Sequence, residues 1–518
     1  MAIKIQGTTV LDYGGDSSNI AVGAQALTTN TIGIYNTAIG RQALFSNTTG
    51  GNNTAVGWGS LYANTTGLYN IAVGFQALNS NIIGSNNVGI GYVSLYSNTT
   101  GNNNTAVGYA ALYSNTTASS NVAVGNQSLY GNTTGITNVA IGTQAIFINT
   151  TGSYLVGVGY RALYGNTTGN YNIAIGFEAL NFNTIGSQNV GIGFQALYSN
   201  TTGVENTAVG SQSLLSNTIG INNVAVGYAS LRGNTTGNNN TAVGWAALYT
   251  NTIGSDNLAI GRTALYNNTT GNNNVALGRS ALFTNTTGVN NSAVGFAALF
   301  SNTIGINNVS LGSEALYYNT TGNNSVGIGY RALFNSTIGI NNIGIGSFAL
   351  NFNTTGNNNT SIGIQALFNN TTGNNNTAVG HEALLDNTTG SNNTVLGKNS
   401  GKGITTGNFN TIIGANVVNL SATLSNHVIL ADGQGNQRIV ADNNGNVGIG
   451  TNTPTQKLDV AGSIKLSGST YENVYTITDG ASVDLNPANG SIQLWTLTAN
   501  RSPTATNFSS GQSITLLV

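Results

Sequence analysis

The chain repeats one pattern of apolar and polar residues from Asn19 to about Gly414. The stretch Asn53–Tyr69 reads NTAVGWGSLYANTTGLY, and the next copy begins at Asn70 with NIAVGFQAL. This 17-residue interval holds without insertion or deletion up to Asn410, which gives 24 starting points. A fixed period of this size is typical of proteins that stack one structural unit on the next. We number the positions of each unit from 1 to 17, and residues that share a position form a column.

Several columns are nearly invariant. Position 5 is Gly in all 24 copies, position 4 is always Val, Ile or Leu, and position 9 is Leu from Leu27 to Leu384 except at Ile146. Position 2 is mostly Thr, Val or Ile, so positions 2 and 4 form a β-branched strand face with Ala or Gly on its other side. We therefore expect a structural core that contains Val22, Gly23, Leu27, Val56, Gly57, Leu61, Val73, Gly74 and Leu78.

The period predicts an all-β fold, a parallel β-solenoid or β-roll of about 24 coils. Two near-invariant glycines in each unit, with several Asn and Thr, disfavour helix. Two short strands joined by Gly/Asn turns would complete one 17-residue coil. With a strand spacing near 4.8 Å, 24 coils form a rod of roughly 115 Å. An inserted residue would flip side chains between faces, which explains the absence of insertions.

The apolar content of one coil predicts assembly of more than one chain. Each coil offers two obligatory apolar side chains, worth about 1.5–3 kcal/mol each when buried. Ordering one whole coil costs on the order of 25 kcal/mol. Hydrogen-bonded ladders and stacked asparagines offset much of this cost, but packing several rolls along one axis supplies further burial. Two faces are candidates for the seam: the Ala/Gly face, and the aromatic-rich tenth column with Tyr62, Tyr96 and Phe147.

The pattern divides the chain into four parts. Residues 1–18 precede the first coil and act as a cap, as an attachment segment, or as both; residues 19–417 form the solenoid. Residues 418–470 carry DGQGN and DNNGN turn signals and read as a narrow, intertwined neck. Residues 471–518 read as a small β-sandwich or meander that ends in an apolar strand, which requires a partner chain or a continuation.

Composition excludes several functions. Only 5% of residues are charged and the net charge is −1, so nothing resembles the basic surface of a nucleic-acid-binding protein. Without Cys there is no thiolate metal site, and His381 and His427 read as surface and neck residues. No carboxylate pair recurs at fixed spacing, so we expect no enzyme, cofactor or metal. We expect no N-terminal signal peptide, because the opening residues lack its long apolar core, and no apolar run is long enough to insert into a membrane.

Three segments resemble known families. The NTAVGxxAL…NTTGxN units resemble the head repeats of trimeric bacterial adhesins (YadA-like), although those repeats have a shorter period, and resemble still more the 17-residue repeats of phage and viral fibres. The stretch NVGIGTNTPTQKLDVAGSI at 446–464 resembles the neck of many phage tail fibres, without the chaperone domain that often follows it. The opening MAIKIQGTTV and the stretch 474–518 resemble structural proteins of cyanobacterial phages. The count of three chains is what these resemblances imply.

The sequence therefore predicts a fibre in the viral particle, a tail or capsid fibre of a tailed phage. We expect it to join other virion proteins through residues 1–18 and to adhere to a host glycan or protein. A bacterial trimeric surface adhesin is the alternative, and an ice-binding solenoid with stacked Thr65–Thr66 turns is a remote one. Position 6 varies while its neighbours hardly change, so its aromatics should face solvent. The candidate receptor contacts are Trp58, Phe75, Tyr92, Tyr109, Phe177 and Trp245 along the rod, and Trp495 at the distal module.

Overall fold

A computed structural model describes residues 3–5, 8–11, 18–465, 467–468, 474–478, 484–486, 488, 492–496, 503–506 and 514–517. The described residues form strands and turns, with no α-helix among them. They belong to two compact units, Met1–Gly445 and Asn446–Val518. At the N-terminus, β1 (Ile3–Ile5) and β2 (Thr8–Leu11) pair antiparallel.

The first unit is a parallel β-solenoid, as predicted. Strand β3 is Ile20–Val22, and an equivalent three-residue strand recurs at positions 2 to 4 of every coil up to β26, Thr411–Ile413. Each strand pairs in parallel with the same positions of the next coil, for example Thr54 with Ile71 and Val56 with Val73. The expected second strand of each coil is absent in the described range 18–417, because positions 6 to 17 form turns and bends. These turns also bond to the next coil, as in Leu44 N–H to the Ser60 carbonyl at 3.0 Å.

The interior of the coil differs from the prediction. Leu27, Leu61 and Leu78 of the ninth column are buried as expected, but Val22, Val56 and Val73 of the fourth column are only half-buried. The third column, Ala21, Ala38, Ala55 and their equivalents, faces inward instead. Side chains alternate along a strand, and the thin coil leaves room beside the Leu column only for a methyl group. The Ala/Gly face is therefore enclosed within the single chain and cannot be a seam between chains.

Two columns of buried asparagine complete the interior. In column 12, most amides donate from Nδ2 to the Oδ1 of the preceding coil, as Asn64 does to Asn47 at 2.8 Å, and to a carbonyl of their own turn. In column 1, Oδ1 accepts from the next coil's backbone N–H, as Asn36 does from Asn53 at 3.0 Å. Nearly every polar atom of these amides is paired, which makes their burial inexpensive.

The coil requires left-handed backbone at four positions. Columns 7, 9 and 17 adopt a φ near +50 to +60° even where they are not glycine, including Leu61 at +49°. Column 5 has a φ near +130°, and a Cβ added to Gly57 would lie 2.3 Å from the carbonyl oxygen of Gly74. Gly23, Gly57 and Gly74 are therefore conformational requirements and do not act as core-packing residues.

The interior is rebuilt where the repeat fades. Gly401 replaces the ninth-column leucine, and the third column changes from Ala to Val395, Ile412 and Ile429, all buried. The larger side chains of the third column thus fill the space that the missing ninth-column leucine leaves. The parallel ladder continues through β27, Val428–Ala431, which pairs with Thr411–Ile413, and β28, Gln437–Ala441, then pairs antiparallel with β27.

The second unit also contains parallel pairs. Strand β29 (Val447–Ile449) pairs with β30 (Leu458–Val460). Farther along, β31 (Val474–Ile477), β33 (Ile492–Trp495) and β35 (Thr515–Leu517) form one parallel sheet, while β32 (Asp484–Leu485) pairs in parallel with β34 (Thr504–Ala505). A meander is wrong for these strands, since a meander pairs consecutive strands antiparallel. Alternate strands pair here, which is a coil-like arrangement.

Candidate functional site

The sixth column forms exposed aromatic stacks on the rod. Trp58, Phe75, Tyr92 and Tyr109 are 39–51% exposed, and their consecutive ring centroids lie 4.8, 4.9 and 5.4 Å apart. Stacking follows from the register, because equivalent side chains of adjacent coils are about one strand spacing apart. These rings therefore lie on the surface of the single chain, where the sequence predicted them. Their contact with a receptor stays a prediction.

The other two sixth-column candidates lie in similar surroundings. Phe177 stacks between Tyr160 and Phe194, at 5.1 and 5.5 Å. Trp245 stacks on Tyr228 at 6.3 Å, and the guanidinium of Arg262 lies 5.2 Å from its ring centroid. Both candidate rings are exposed, Phe177 at 44% and Trp245 at 47%.

Trp495 does not belong to a contact surface. It is 2% exposed and forms a small core with Ile477, with Leu485 and Leu516 packed against them. The prediction of a receptor contact at this side chain is wrong, because a buried indole cannot meet a ligand without unfolding its surroundings. Strand alternation explains its position, since Trp495 and the buried Gln493 share a face of β33.

The tenth column forms longer, half-buried stacks. One run joins Tyr96, Tyr113, Tyr130, Phe147 and Tyr164 with centroid spacings of 5.1–5.2 Å. Burial, together with the neighbouring phenols Tyr130 and Tyr96, raises the pKa of Tyr113. A second run extends from Tyr249 to Phe334. Asn79, Asn181 and Asn351 interrupt the column, and each amide donates to a backbone carbonyl in the preceding coil.

The regular stacks give way to an edge-to-face aromatic cluster between residues 317 and 368. The ring of Tyr318 meets Tyr317 and Phe334 edge-on at 4.7 and 5.1 Å, and Phe352 meets Phe368 edge-on at 5.0 Å. Tyr318 and Phe352 occupy position 11, which is a small or polar residue in most coils. They project from the rod and are 45% and 44% exposed.

A groove of about 880 Å³ lies beside these two rings. The position-11 side chains form one wall, and the threonines of position 13 form the other. The lining residues are Ser301, Tyr318, Asn335, Phe352 and Asn369, with Thr320, Thr337, Thr354, Thr371 and Thr388 opposite them. The sequence analysis missed this groove, although the signal was present: aromatic residues two units apart in a column of small residues.

A charged pair lies on the other side of Tyr318. The guanidinium Nε of Arg331 donates to the Glu314 carboxylate at 2.6 Å, and this hydrogen bond raises the pKa of Arg331. The two residues line a second cavity of about 460 Å³ together with Tyr318. Burial raises the pKa of the adjacent Tyr317 phenol, with Tyr318 and Glu314 contributing in the same direction. Glu314 and Arg331 thus offset each other's charge, and Arg279 also lines this second cavity.

The two histidines are far apart in the sequence and have unlike surroundings. His381 is exposed on the sixth column, 3.9 Å from the carboxylate of Glu382. His427 occupies position 1 of the coil after Asn410, and its Nδ1 lies 2.7 Å from the Ser425 carbonyl.

Thr65 of the turn donates its hydroxyl to the Ile82 carbonyl at 3.1 Å, so this hydroxyl is directed along the stack.

Compared with known proteins, the chain matches no family model and no curated protein. In the part of the chain that the structure describes, there is no helix of the length and hydropathy needed to cross a membrane.

Proposed function

We propose that the chain is a non-enzymatic structural fibre of a viral particle, assembled as a homotrimer and projecting from the virion to adhere to a host surface. The observation that carries the proposal is the outer face of the parallel strands. Position 4 is Val, Ile or Leu in every coil, yet it points away from the interior. Ile39, Ile90, Leu311 and Leu396 are 40–49% exposed.

This outer face has the properties of a buried interface. Position 2 adds Val, Ile, Leu or Thr beside position 4 in nearly all coils, so the apolar stripe runs along the whole ladder, roughly 115 Å. Contiguous apolar patches larger than a few hundred Å² are uncommon on monomeric proteins and mark interaction sites. Identical copies of a rod with one apolar stripe can bury it around a shared axis. The proposed seam is therefore the face of positions 2 and 4, which replaces the Ala/Gly face.

Orientation and ligand follow from the same proposal. Residues 1–18 attach the fibre to other virion proteins. A rod with few charges and exposed aromatic columns suits repeated weak contacts with a host glycan or protein, which sum through effective concentration. The resemblance of residues 446–464 to phage fibre necks supports a virion fibre over a bacterial surface adhesin.

Three experiments test the proposal. Sedimentation equilibrium of the full chain should give the mass of three chains, and a stable monomer would refute the assembly. A triple variant with Val243→Lys, Ile260→Lys and Leu277→Lys should dissociate the assembly locally. The circular dichroism of the coils should stay unchanged, because these three side chains lie outside the interior. Thr241→Lys places a single lysine at position 2 of the same proposed seam and should weaken the assembly less than the triple variant. Immunogold labelling of purified particles should mark virions, and labelling confined to cell envelopes would favour the adhesin.

A further inference from the structure

We propose that the groove beside Tyr318 and Phe352 is a binding site for a neutral oligosaccharide of at least two sugar rings. The assignment rests on the proposed fibre function, since it gives the fibre a defined contact point on its side. The two rings project from position 11 of coils that are two steps apart, so they are about 10 Å from each other along the rod. Their exposed faces flank a volume of about 880 Å³, within the range of small-ligand sites.

This pair of rings occurs once in the position-11 column. Phe182 is the third aromatic residue there, and it shares the local structure of Phe352: an asparagine precedes each, and each ring meets a tenth-column ring edge-on at 5.0 Å. Two coils away from Phe182, however, the column carries Ile148 and Ser216. Phe182 is thus an exposed ring without a second position-11 ring two coils away, and it provides a matched control for Phe352.

The polar groups of the groove favour a ligand rich in hydroxyl groups. The hydroxyls of Thr320, Thr337 and Thr354 each donate to the carbonyl of the next coil at 3.0–3.1 Å, so their oxygens remain as acceptors for a ligand hydroxyl. Asn335 donates Nδ2 to the Asn351 carbonyl at 3.1 Å, which leaves its Oδ1 to accept. Acceptors thus recur along the groove at every coil.

A charged ligand or an extended peptide fits the groove less well. All ten lining residues are uncharged, and the nearby Arg331 is neutralised by Glu314. A peptide that adds as a strand needs free backbone donors and acceptors. Here the carbonyl of Thr337 already accepts from both the N–H and the hydroxyl of Thr320, and the same pairing recurs at Thr354. Sugar rings instead present C–H faces to aromatic rings and hydroxyls to the threonine wall.

The test uses the full chain and three probes, cellohexaose, maltohexaose and mannohexaose, in saturation-transfer NMR and titration calorimetry. We expect millimolar to micromolar binding of at least one probe. The double variant Tyr318→Ser/Phe352→Ser should lose about tenfold or more in affinity, because two stacking faces are removed. Phe182→Ser should bind as the parent chain does. Circular dichroism should be unchanged in all variants, since the three substituted side chains lie outside the interior.

Two results would overturn the assignment: no binding of any of the three probes, or an equal loss in the Phe182→Ser control. In the first case, binding of the apolar dye anilinonaphthalene sulfonate at the groove, abolished by the double variant, would assign the groove to an apolar partner. Sedimentation of the same samples separates the two proposals. A trimer that binds no probe refutes the groove alone, whereas a monomer that binds a probe refutes the trimeric fibre alone.

Discussion

The solenoid and the second compact unit, Asn446–Val518 (the C-terminal unit), both pair strands in parallel, but the paired residues are separated by different numbers of residues. In the solenoid, partners are always one 17-residue coil apart, as in Thr241 and Leu258. In the C-terminal unit, Val474 pairs with Ile492 at a separation of 18, and Ile492 with Thr515 at 23. The partners Asp484 and Thr504 are 20 apart. Only an equal spacing lets every side chain meet its own equivalent in the next coil.

The difference in spacing decides how each unit is stabilised. Equal spacing produces the asparagine ladders, the stacked rings and the close approach of glycine columns, all of which are interactions between like residues. Unequal spacing brings unlike residues together, and the described core there is a local cluster of Trp495, Ile477, Leu485 and Leu516. The solenoid should therefore be sensitive to register, and the C-terminal unit to side-chain volume.

Inserting one residue into each unit tests this difference most directly. One serine inserted between Gly237 and Asn238 should open the adjacent coils, since several coil-to-coil hydrogen bonds of about 1 kcal/mol each are lost together, on the order of 5 kcal/mol. Hydrogen–deuterium exchange of peptides around residue 237 measures the loss. The same insertion after Thr506, where strand spacing already varies, should leave exchange in Ile492–Trp495 nearly unchanged. Equal effects at the two sites would contradict the comparison.

Adjacent leucines test the interior of the coil. Leu214 is fully buried, whereas Leu215 is half-buried on the surface. Leu214→Ala should destabilise its coil by about 2–5 kcal/mol through lost burial and a cavity, and Leu215→Ala by less than about 1 kcal/mol. Local exchange protection and the thermal midpoint measure both. Similar losses for the two would mean that the ninth column is not the core.

Substitutions at two glycines test which positions of the coil require glycine. A Cβ on Gly244, with φ +136°, would lie 2.6 Å from the Gly261 carbonyl oxygen, so Gly244→Ala should cost about 3 kcal/mol. Gly59 has a φ of +63°, as Ala246 does at +50° in the same column, and its nearest obstacle is a side-chain amide at 3.3 Å. Gly59→Ala should be close to neutral. Denaturant-dependent exchange compares the two, and a neutral Gly244→Ala would refute the glycine requirement.

Two opposite substitutions in column 12 test the ladder of asparagine side chains. Asn251 donates to Asn234 and to Gly254, both at 2.8 Å, so Asn251→Ser should cost about 1–3 kcal/mol. The ladder is interrupted naturally at Ser336, where the Ser336 hydroxyl and the Oδ1 of Asn319 have no protein partner among the described residues. Ser336→Asn should restore the missing amide and stabilise the coil by about 1 kcal/mol. A destabilised Ser336→Asn, measured by the same exchange experiment, would show that the site has no room for the amide.

The smallest expected effect is electrostatic. A hydrogen bond from Lys402 lowers the pKa of Glu382, so the folded state favours the ionised carboxylate. This contribution is present above the unfolded pKa near 4.3 and is lost as the pH falls through the lower folded value. For a partly exposed pair it should amount to less than about 1 kcal/mol. Local exchange near residue 382 should show a pH dependence that Glu382→Gln abolishes, and its persistence in that variant would assign it to another group.

The sequence was sufficient for the period, the position of the strand and the glycine and leucine columns, because each imposes one residue type at one spacing. It was not sufficient for the direction of the strand faces. Hydrophobicity places Val56 inside and Ala55 at a seam, but the width of the coil admits only the smaller side chain. The residue that looks like core is therefore the one that stays partly exposed on the single chain.

The candidate site shows the same limit. Aromatic residues at position 6 were recognised as exposed because that column varies, and Trp495 was misassigned because a single tryptophan carries no column to compare. The groove depends on Tyr318 and Phe352 lying two coils apart and on the threonine wall across from them. The two-coil separation of the aromatic residues can be predicted from their spacing in the sequence. The position of the threonine wall depends on how the turn folds.

The constant step of the solenoid has a genetic consequence. Each coil contacts its two neighbours through identical columns, so recombination between in-phase copies removes or adds whole units without disturbing any ladder. A lineage can therefore lengthen or shorten its rod in increments of about 4.8 Å. Tyr318 and Phe352, the residues of the proposed binding site, would shift along the axis with each event N-terminal to them. The distance of that site from the N-terminal end of the solenoid can therefore change by inheritance while its residues stay the same.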